Sequence, residues 1–172
     1  MKFLLTAVNA KYIHSNPAIY SLRAYAGSGL QEHIELAEYT INQSFGEILA
    51  DIYKRRPDVI GFSCYIWNIT VVLELVTELH KVLPEARIWL GGPEVSFDAP
   101  VLLEKYPQLT GIMVGEGEET FRELLEYYVE NGGSRRSENG SGREHVCRAK
   151  ELHDIPGLCL PEGYTVPGSR QI

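Results

Sequence analysis

The residues with chemical potential in this chain of 172 residues sit directly behind short apolar runs. Ser63 follows Asp58-Val-Ile-Gly-Phe62, Gly91-Gly92-Pro93-Glu94 follows Arg87-Ile-Trp-Leu90, and Gly115-Glu116-Gly117-Glu118-Glu119 follows Gly111-Ile-Met-Val114. In an open α/β sheet the ligand lies outside the carboxyl ends of the strands, where glycine and small polar residues let it approach the main chain. Glu94, Glu116, Glu118 and Glu119 add hydrogen-bond acceptors, and Tyr65 and Trp67 add aromatic faces. Such a lining repels bare anions and suits a large ligand carrying amide N–H and hydroxyl donors. Glu118 and Glu119 also have a simpler reading, as first-turn carboxylates at the positive end of a helix dipole. The pattern indicates binding before catalysis.

Three familiar crevice functions fail on the residues. A dinucleotide site needs Gly-x-Gly-x-x-Gly and a helix amino terminus aimed at a pyrophosphate; Gly115-x-Gly117 lacks the third glycine and is followed by carboxylates. A phospho-receiver needs acidic residues after the first strand and an aspartate after the third, where this chain has Asn9 and Ser63. No P-loop is present.

The elements that must position these residues alternate between strand and helix. Apolar runs predict strands at Phe3–Val8, His33–Tyr39, Asp58–Ser63, Arg87–Gly91 and Gly111–Val114. Between them, Phe45/Ile48/Leu49/Ile52, Ile69/Val72/Val76/Leu79 and Phe121/Leu124/Leu125/Tyr128 mark apolar stripes at helical spacing. Pro57 and Pro84 end two of these helices, and Asp98 is placed to cap another just before Pro100. The implied architecture is α/β, a doubly wound five-stranded parallel sheet of flavodoxin-like, Rossmann-like form, with strand order 2-1-3-4-5.

Composition bounds the rest. A hydrophobic content of 44% supports a single-domain core, and a net charge of −7 argues against a nucleic-acid partner. The apolar start, Met1 to Val8, is too short for a signal peptide or membrane span, so a cytoplasmic protein without membrane contact is expected. Cys64, Cys147 and Cys159 are too far apart for metal-ligand spacing, and the sequons at Asn68 and Asn139 carry no weight without a secretory signal. His33, His80, His145 and His153 have no partner at ligand spacing. The domain proper is expected to span 1–130, followed by a flexible loop at 131–143 rich in Gly, Ser and charge, and by a segment at 144–172 that can add a small β element.

Four motifs carry a resemblance over about three quarters of the chain: Asn9-Ala-Lys-Tyr12-Ile-His14-Ser15-Asn16-Pro17, Gly61-Phe-Ser63, Leu90-Gly91-Gly92-Pro93-Glu94 and Val114-Gly115-Glu116-Gly117-Glu118. In this combination and spacing the chain resembles the amino-terminal cobalamin (B12)-binding domain of B12-dependent radical S-adenosylmethionine proteins. That group includes the anaerobic magnesium-protoporphyrin IX monomethyl ester cyclases. The resemblance implies a crevice that holds the corrin and its nucleotide tail, with Gly91 and Gly92 letting the tail pass the backbone and Ser63 hydrogen-bonding it. It assigns Asn9, Tyr12, His14, Ser15, Asn16, Ser63, Cys64, Tyr65, Trp67, Gly91, Gly92, Pro93, Glu94, Gly115, Glu116, Gly117 and Glu118 to the cofactor site.

Two departures shape the functional expectation. The histidine-on ligand loop reads Asp-x-His-x-x-Gly, whereas the matching frame here is Tyr12-x-His14-x-x-Pro17. His14 is thus a candidate cobalt ligand without the aspartate that would orient its imidazole, and a loop histidine otherwise. The Cys-x-x-x-Cys-x-x-Cys that binds a [4Fe-4S] cluster has no counterpart, so S-adenosylmethionine and the cluster would belong to a C-terminal radical SAM domain following residues 144–172. The chain is expected to be a cobalamin-carrying module of a methyltransferase or cyclase type enzyme, with no activity alone. The alternatives are a flavin, nucleotide or sensor module on the same fold, and a cofactor-free interaction domain.

Overall fold

The computed structural model describes residues 1–10, 15–132 and 151–161. Tyr12 and His14, most of the 131–143 loop, Cys147 and His145 lie outside these residues. The chain runs β1 (Phe3–Asn9), α1 (Pro17–Tyr25), β2 (Ile34–Thr40), α2 (Phe45–Arg55), β3 (Val59–Ser63), α3 (Ile69–Val82), β4 (Arg87–Gly91), α4 (Pro93–Ser96), α5 (Ala99–Lys105), β5 (Gly111–Met113), α6 (Gly117–Gly132) and β6 (Leu158–Cys159). The sheet order is β2-β1-β3-β4-β5-β6. The first five strands are parallel in the expected 2-1-3-4-5 order, and β6 is antiparallel to β5.

Alternation along the strands divides the core into two layers. Phe3, Leu5, Ala7, Val59, Trp89 and Met113 face α1 and α6, and pack on Ile19, Phe121, Leu124, Leu125 and Tyr128. Leu4, Val8, Ile60, Phe62, Ile88, Leu90 and Ile112 face the other way, onto Ile48, Ile52, Val72, Leu75, Val76, Leu79, Val95 and Leu103 of α2 to α5. Every residue of β1 is buried, as a central parallel strand covered on both faces requires.

The helix boundaries follow local chemistry. Ser44 Oγ accepts from Glu47 N at the start of α2; Arg56 closes it with φ 49° in front of Pro57. Asp98 departs from its expected role. It sits before α5 at φ −110°, ψ 28°, outside the extended conformation of a capping residue, and its side chain makes no capping bond. α1 has no strong apolar stripe, since Ile19 is its one buried residue. Its sequence signal is the pair Asn16-Pro17, an N-cap followed by proline at the first helical position.

The small β element expected in the 144–172 segment is β6, and it packs as core. Ile155, Leu158 and Leu160 join the α6 layer. Thr120 Oγ1 donates to Pro156 O at 2.8 Å, and Val114 N to Gly157 O at 2.8 Å. At the opposite end of the sheet, Lys2 pairs with Glu35 at 2.6 Å, Arg55 pairs with Glu35 and Asp51, and Tyr39 donates to Asp51 Oδ2 at 2.6 Å. No helix among the described residues is long and apolar enough to cross a membrane.

Candidate functional site

The register of the parallel strands aligns two rows of residues that face α1 and α6. One row is Ala7–Ser63–Gly91–Met113; the row beneath it is Leu5–Gly61–Trp89–Gly111. Ser63 and Gly91 in the upper row and Gly61 in the lower are small and line a hollow beside the carboxyl ends of β3 and β4, whereas the Trp89 ring fills the space over Gly111. The helices α1 and α6 bridge this hollow, leaving a cavity of about 250 Å³. Leu5, Gly61 and Met113 lie on its sheet side, Ala18, Ile19 and Leu22 on its α1 side, and Ser63, Tyr65, Gly91, Gly92 and Gly115–Glu118 around its strand-end side.

The glycines there are small for different reasons. A Cβ on Gly61 would meet Phe3 Cε1 at 3.1 Å and Leu5 Cδ2 at 3.2 Å, and one on Gly91 would meet Met113 Cε at 3.4 Å. Gly92 has φ 116°, and its Cβ would stand 2.5 Å from Cys64 O. The close approach at Gly92 is therefore to the protein's own β3 turn, which corrects the expectation that its Cβ position is kept free for a ligand tail. Gly115 has φ 83° with open space about it, as the turn into α6 requires.

Polar groups fix the strand-end side. Asn16 caps α1 by accepting from Ala18 N at 3.0 Å, and donates from Nδ2 to Ser63 Oγ at 3.1 Å. Glu38, on β2, holds both flanks of the 10–15 segment: Asn9 Nδ2 donates to its Oε1 at 3.1 Å, Asn16 N at 2.7 Å, and Tyr20 OH donates to Oε2 at 2.8 Å. Burial alone would raise this carboxyl, but the Asn16, Tyr20 and Asn9 donors hold it below the ordinary carboxylate value. Asn68, fully buried, donates to Val8 O at 3.0 Å and Ser63 O at 2.9 Å and accepts from Tyr65 N at 2.8 Å. It ties the ends of β1 and β3 to the turn that carries Tyr65. On the facing side, Ser21 Oγ donates to Glu118 Oε1 at 3.0 Å, linking α1 to the first turn of α6.

Of the residues expected in the site, the cavity brings together Ser63, Tyr65, Gly91, Gly92, Gly115, Glu116, Gly117 and Glu118. Asn16 joins through its bond to Ser63, and Asn9 through Glu38. Trp67 is half-exposed and stacks on Tyr65 at 4.5 Å between ring centroids. Ser15, Pro93 and Glu94 are exposed and stand outside the cavity lining. Cys64 departs from the expected set: it points into the α2/α3 layer, and burial pushes its thiol up to about 12. The period-two alternation that puts Ser63 on the cavity face sends its neighbour to the other. Sequence reasoning missed Leu5, Ala18, Ile19, Leu22 and Met113, whose only sequence signal is apolar, and the positioning residues Glu38 and Asn68. Among the described residues no group of three His, Cys, Asp or Glu side chains converges to hold a metal ion.

Comparison with known proteins identifies the family. The family model of the B12 binding domain matches residues 4–125. The cobalamin-dependent radical SAM methyltransferase TokK of Streptomyces tokunonensis is 36% identical over 70 residues, 41% of this chain and 10% of that protein. The 2-(S-pantetheinyl)-carbapenam-3-carboxylate methyltransferase of Streptantibioticus cattleyicolor is 35% identical over 106 residues, 60% of this chain and 14% of that protein. The chain thus spans a small part of the length of these curated relatives. Among solved structures, the cobalamin-dependent S-adenosylmethionine radical enzyme OxsB with aqua-cobalamin and S-adenosylmethionine bound superposes with a TM-score of 0.65 at 18% identity, over 90% of this chain and 20% of that one; at that identity the likeness shows the fold alone. A parallel 2-1-3-4-5 sheet hollowed at its strand ends, together with a family match over most of its length, makes this chain a member of the B12 binding domain family, of the kind found in cobalamin-dependent radical SAM enzymes.

Proposed function

We propose that this chain carries cobalamin for a radical SAM domain of a longer protein, holding the nucleotide tail in the cavity between the sheet and α1/α6. The carrying observation is the hollow lined by Ser63, Gly91 and Gly61 in two adjacent sheet rows. At about 250 Å³ it lies below the roughly 300 Å³ at which drug-sized ligand sites begin. It fits a planar fragment and not a whole corrin, which would rest outside the strand ends beside Tyr65. The residues fit such a group: apolar walls for a ring, one hydroxyl at Ser63, and strand-end main chain freed of side chains at Gly91. The cofactor supplies the organometallic chemistry when bound, and this chain's residues bind and orient it.

S-adenosylmethionine and the [4Fe-4S] cluster belong, in this reading, to the radical SAM domain, because the chain has no Cys-x-x-x-Cys-x-x-Cys. Cys64 and Cys159, both buried and free among the described residues, fit a reducing cytoplasm. The test is visible-absorbance titration with hydroxocobalamin of the wild type and of Gly91→Leu. Gly91 has no positive φ, so leucine is allowed by the backbone while its side chain enters the hollow beside Met113. Binding by the wild type and at least about a tenfold loss in a folded Gly91→Leu variant supports the reading; equal binding by both refutes the tail path.

A further inference from the structure

We propose that residues 151–161 form a latch on the α1/α6 cavity: through Pro156 and Gly157 they hold its 115–118 wall in place, so that cofactor binding and docking of this segment reinforce each other. The inference rests on the reading of the cavity as part of a cobalamin site. Gly115, Glu116, Gly117 and Glu118 line the cavity where β5 passes into α6. This stretch is anchored on both flanks by two consecutive residues of the segment. Before it, Val114 N donates to Gly157 O at 2.8 Å; after it, Thr120 Oγ1 donates to Pro156 O at 2.8 Å. Gly157 fits tightly between the same two anchors: at φ 84°, a Cβ there would stand 2.5 Å from Thr120 Oγ1 and 3.2 Å from Val114 O. Met113, another lining residue, is the ladder partner of Leu158.

The latch has two states because little holds it down. β6 is two residues long and lies at the edge of the sheet. Ile155, Leu158 and Leu160 are buried in the layer of Phe121, Leu124 and Leu125. That apolar gain is opposed by the ordering of residues 151–161, a cost of the same order. An edge element so balanced opens locally without global unfolding. When it opens, Val114 N and Thr120 Oγ1 lose these acceptors together, and Gly115, at φ 83° with open space around it, becomes a pivot for the wall. A ligand resting on 115–118 thus meets a fixed wall in the docked state and a loose one in the open state. That difference in affinity lets binding favour docking, and linkage makes the effect mutual. In the reading above, the segment leads on toward the radical SAM domain, so the latch carries the occupancy of the cavity to that junction. Thr120 is its positioning residue.

The test is hydrogen–deuterium exchange with and without saturating hydroxocobalamin, alongside visible-absorbance titration, on the wild type, Thr120→Val and Thr120→Ser. Hydroxocobalamin should slow exchange in 155–160 of the wild type about fivefold or more, and by more than in β2 at the opposite edge of the sheet. Thr120→Val removes the donor and keeps the branched shape; it should cut that slowing to about twofold or less and weaken binding about threefold or more, and Thr120→Ser should restore both. A purely structural role for Thr120 predicts a lower melting temperature in Thr120→Val with the ligand-dependent slowing intact, and that result overturns the latch. So does a wild type that binds hydroxocobalamin with 155–160 slowed no more than β2; both results leave the cofactor reading standing. Absence of binding overturns both. The wild-type comparison decides the proposal even if Thr120→Val does not fold.

Discussion

Asn16 and Ser63, 47 residues apart in sequence, meet at 3.1 Å through Asn16 Nδ2 and Ser63 Oγ. This bond locks the N-cap of α1 to the end of β3, so the helix that walls the cavity is set by the strand that lines it. The same asparagine accepts from Ala18 N, and is 6% exposed. Asn16→Ala should therefore cost about 1–2 kcal/mol, the sum of a lost cap and a lost buried hydrogen bond. Ser63→Ala should cost less, and a double-mutant cycle by urea unfolding should show a coupling of roughly 0.5–1 kcal/mol. Strict additivity would mean the two residues do not act together.

Neighbouring glycines should respond in opposite ways. Gly92→Ala sets a Cβ 2.5 Å from Cys64 O at φ 116° and is expected to lower stability by about 2–4 kcal/mol. Gly115→Ala has open space and only the positive φ to oppose it, so about 1–2 kcal/mol is expected. Chemical denaturation midpoints rank them; a Gly115→Ala variant as damaged as Gly92→Ala would contradict the packing role of Gly92.

Stability should fall at both ends of the pH scale. Glu35 is held low first by the hydrogen bond from Lys2, and Asp51 first by that from Tyr39. Carboxyls depressed in the fold stabilise it above their ordinary values, 4.5 and 3.8, and lose that contribution as pH falls through the depressed values. Tyr39 shifts the other way, raised by burial and then by Asp51, so its contribution is complete below its ordinary value of 10.0 and is lost as pH rises past it. Urea midpoints followed across both limbs should show Glu35→Gln with a shallower acid limb and Tyr39→Phe with a shallower alkaline one. Unchanged limbs in both variants would remove this network as the cause.

Thr6 is fully buried in β1, and its Oγ1 has no hydrogen-bond partner among the described residues. It lies on the face that carries Leu4 and Val8, where a hydroxyl is desolvated without return. Thr6→Val keeps the shape and removes the orphan, and should raise stability by about 1 kcal/mol, seen as a higher melting temperature. A lower melting temperature would show that the hydroxyl is satisfied in solution.

Glu38 is a positioning residue that ties Asn9 at the end of β1 to Asn16 and Tyr20 at the start of α1. Glu38→Gln keeps an acceptor but loses the charge that strengthens three hydrogen bonds, and should weaken cobalamin binding about tenfold or less with little change in melting. Equal loss in a Tyr20→Phe variant would trace the effect to the Tyr20 contact alone.

The amino-acid sequence by itself determined the order of the elements, because apolar runs and helical stripes are local properties of one segment at a time. It also determined which strand ends are small: Ser63, Gly91 and Gly115 are legible as residue types, and their cavity follows once the strands lie in order. What the tertiary structure decided is where each of those residues faces and what closes over it. Cys64 and Ser63 are neighbours in sequence, yet the strand pleat sends one into the core and the other to the cavity. Gly91 and Gly92 read alike, but only the three-dimensional approach of Cys64 O makes the second a packing glycine. Leu5, Ile19 and Met113 come from three distant segments and carry no chemical signature singly; their role exists only because the register of β1, β3, β4 and β5 and the docking of α1 bring apolar side chains around one hollow.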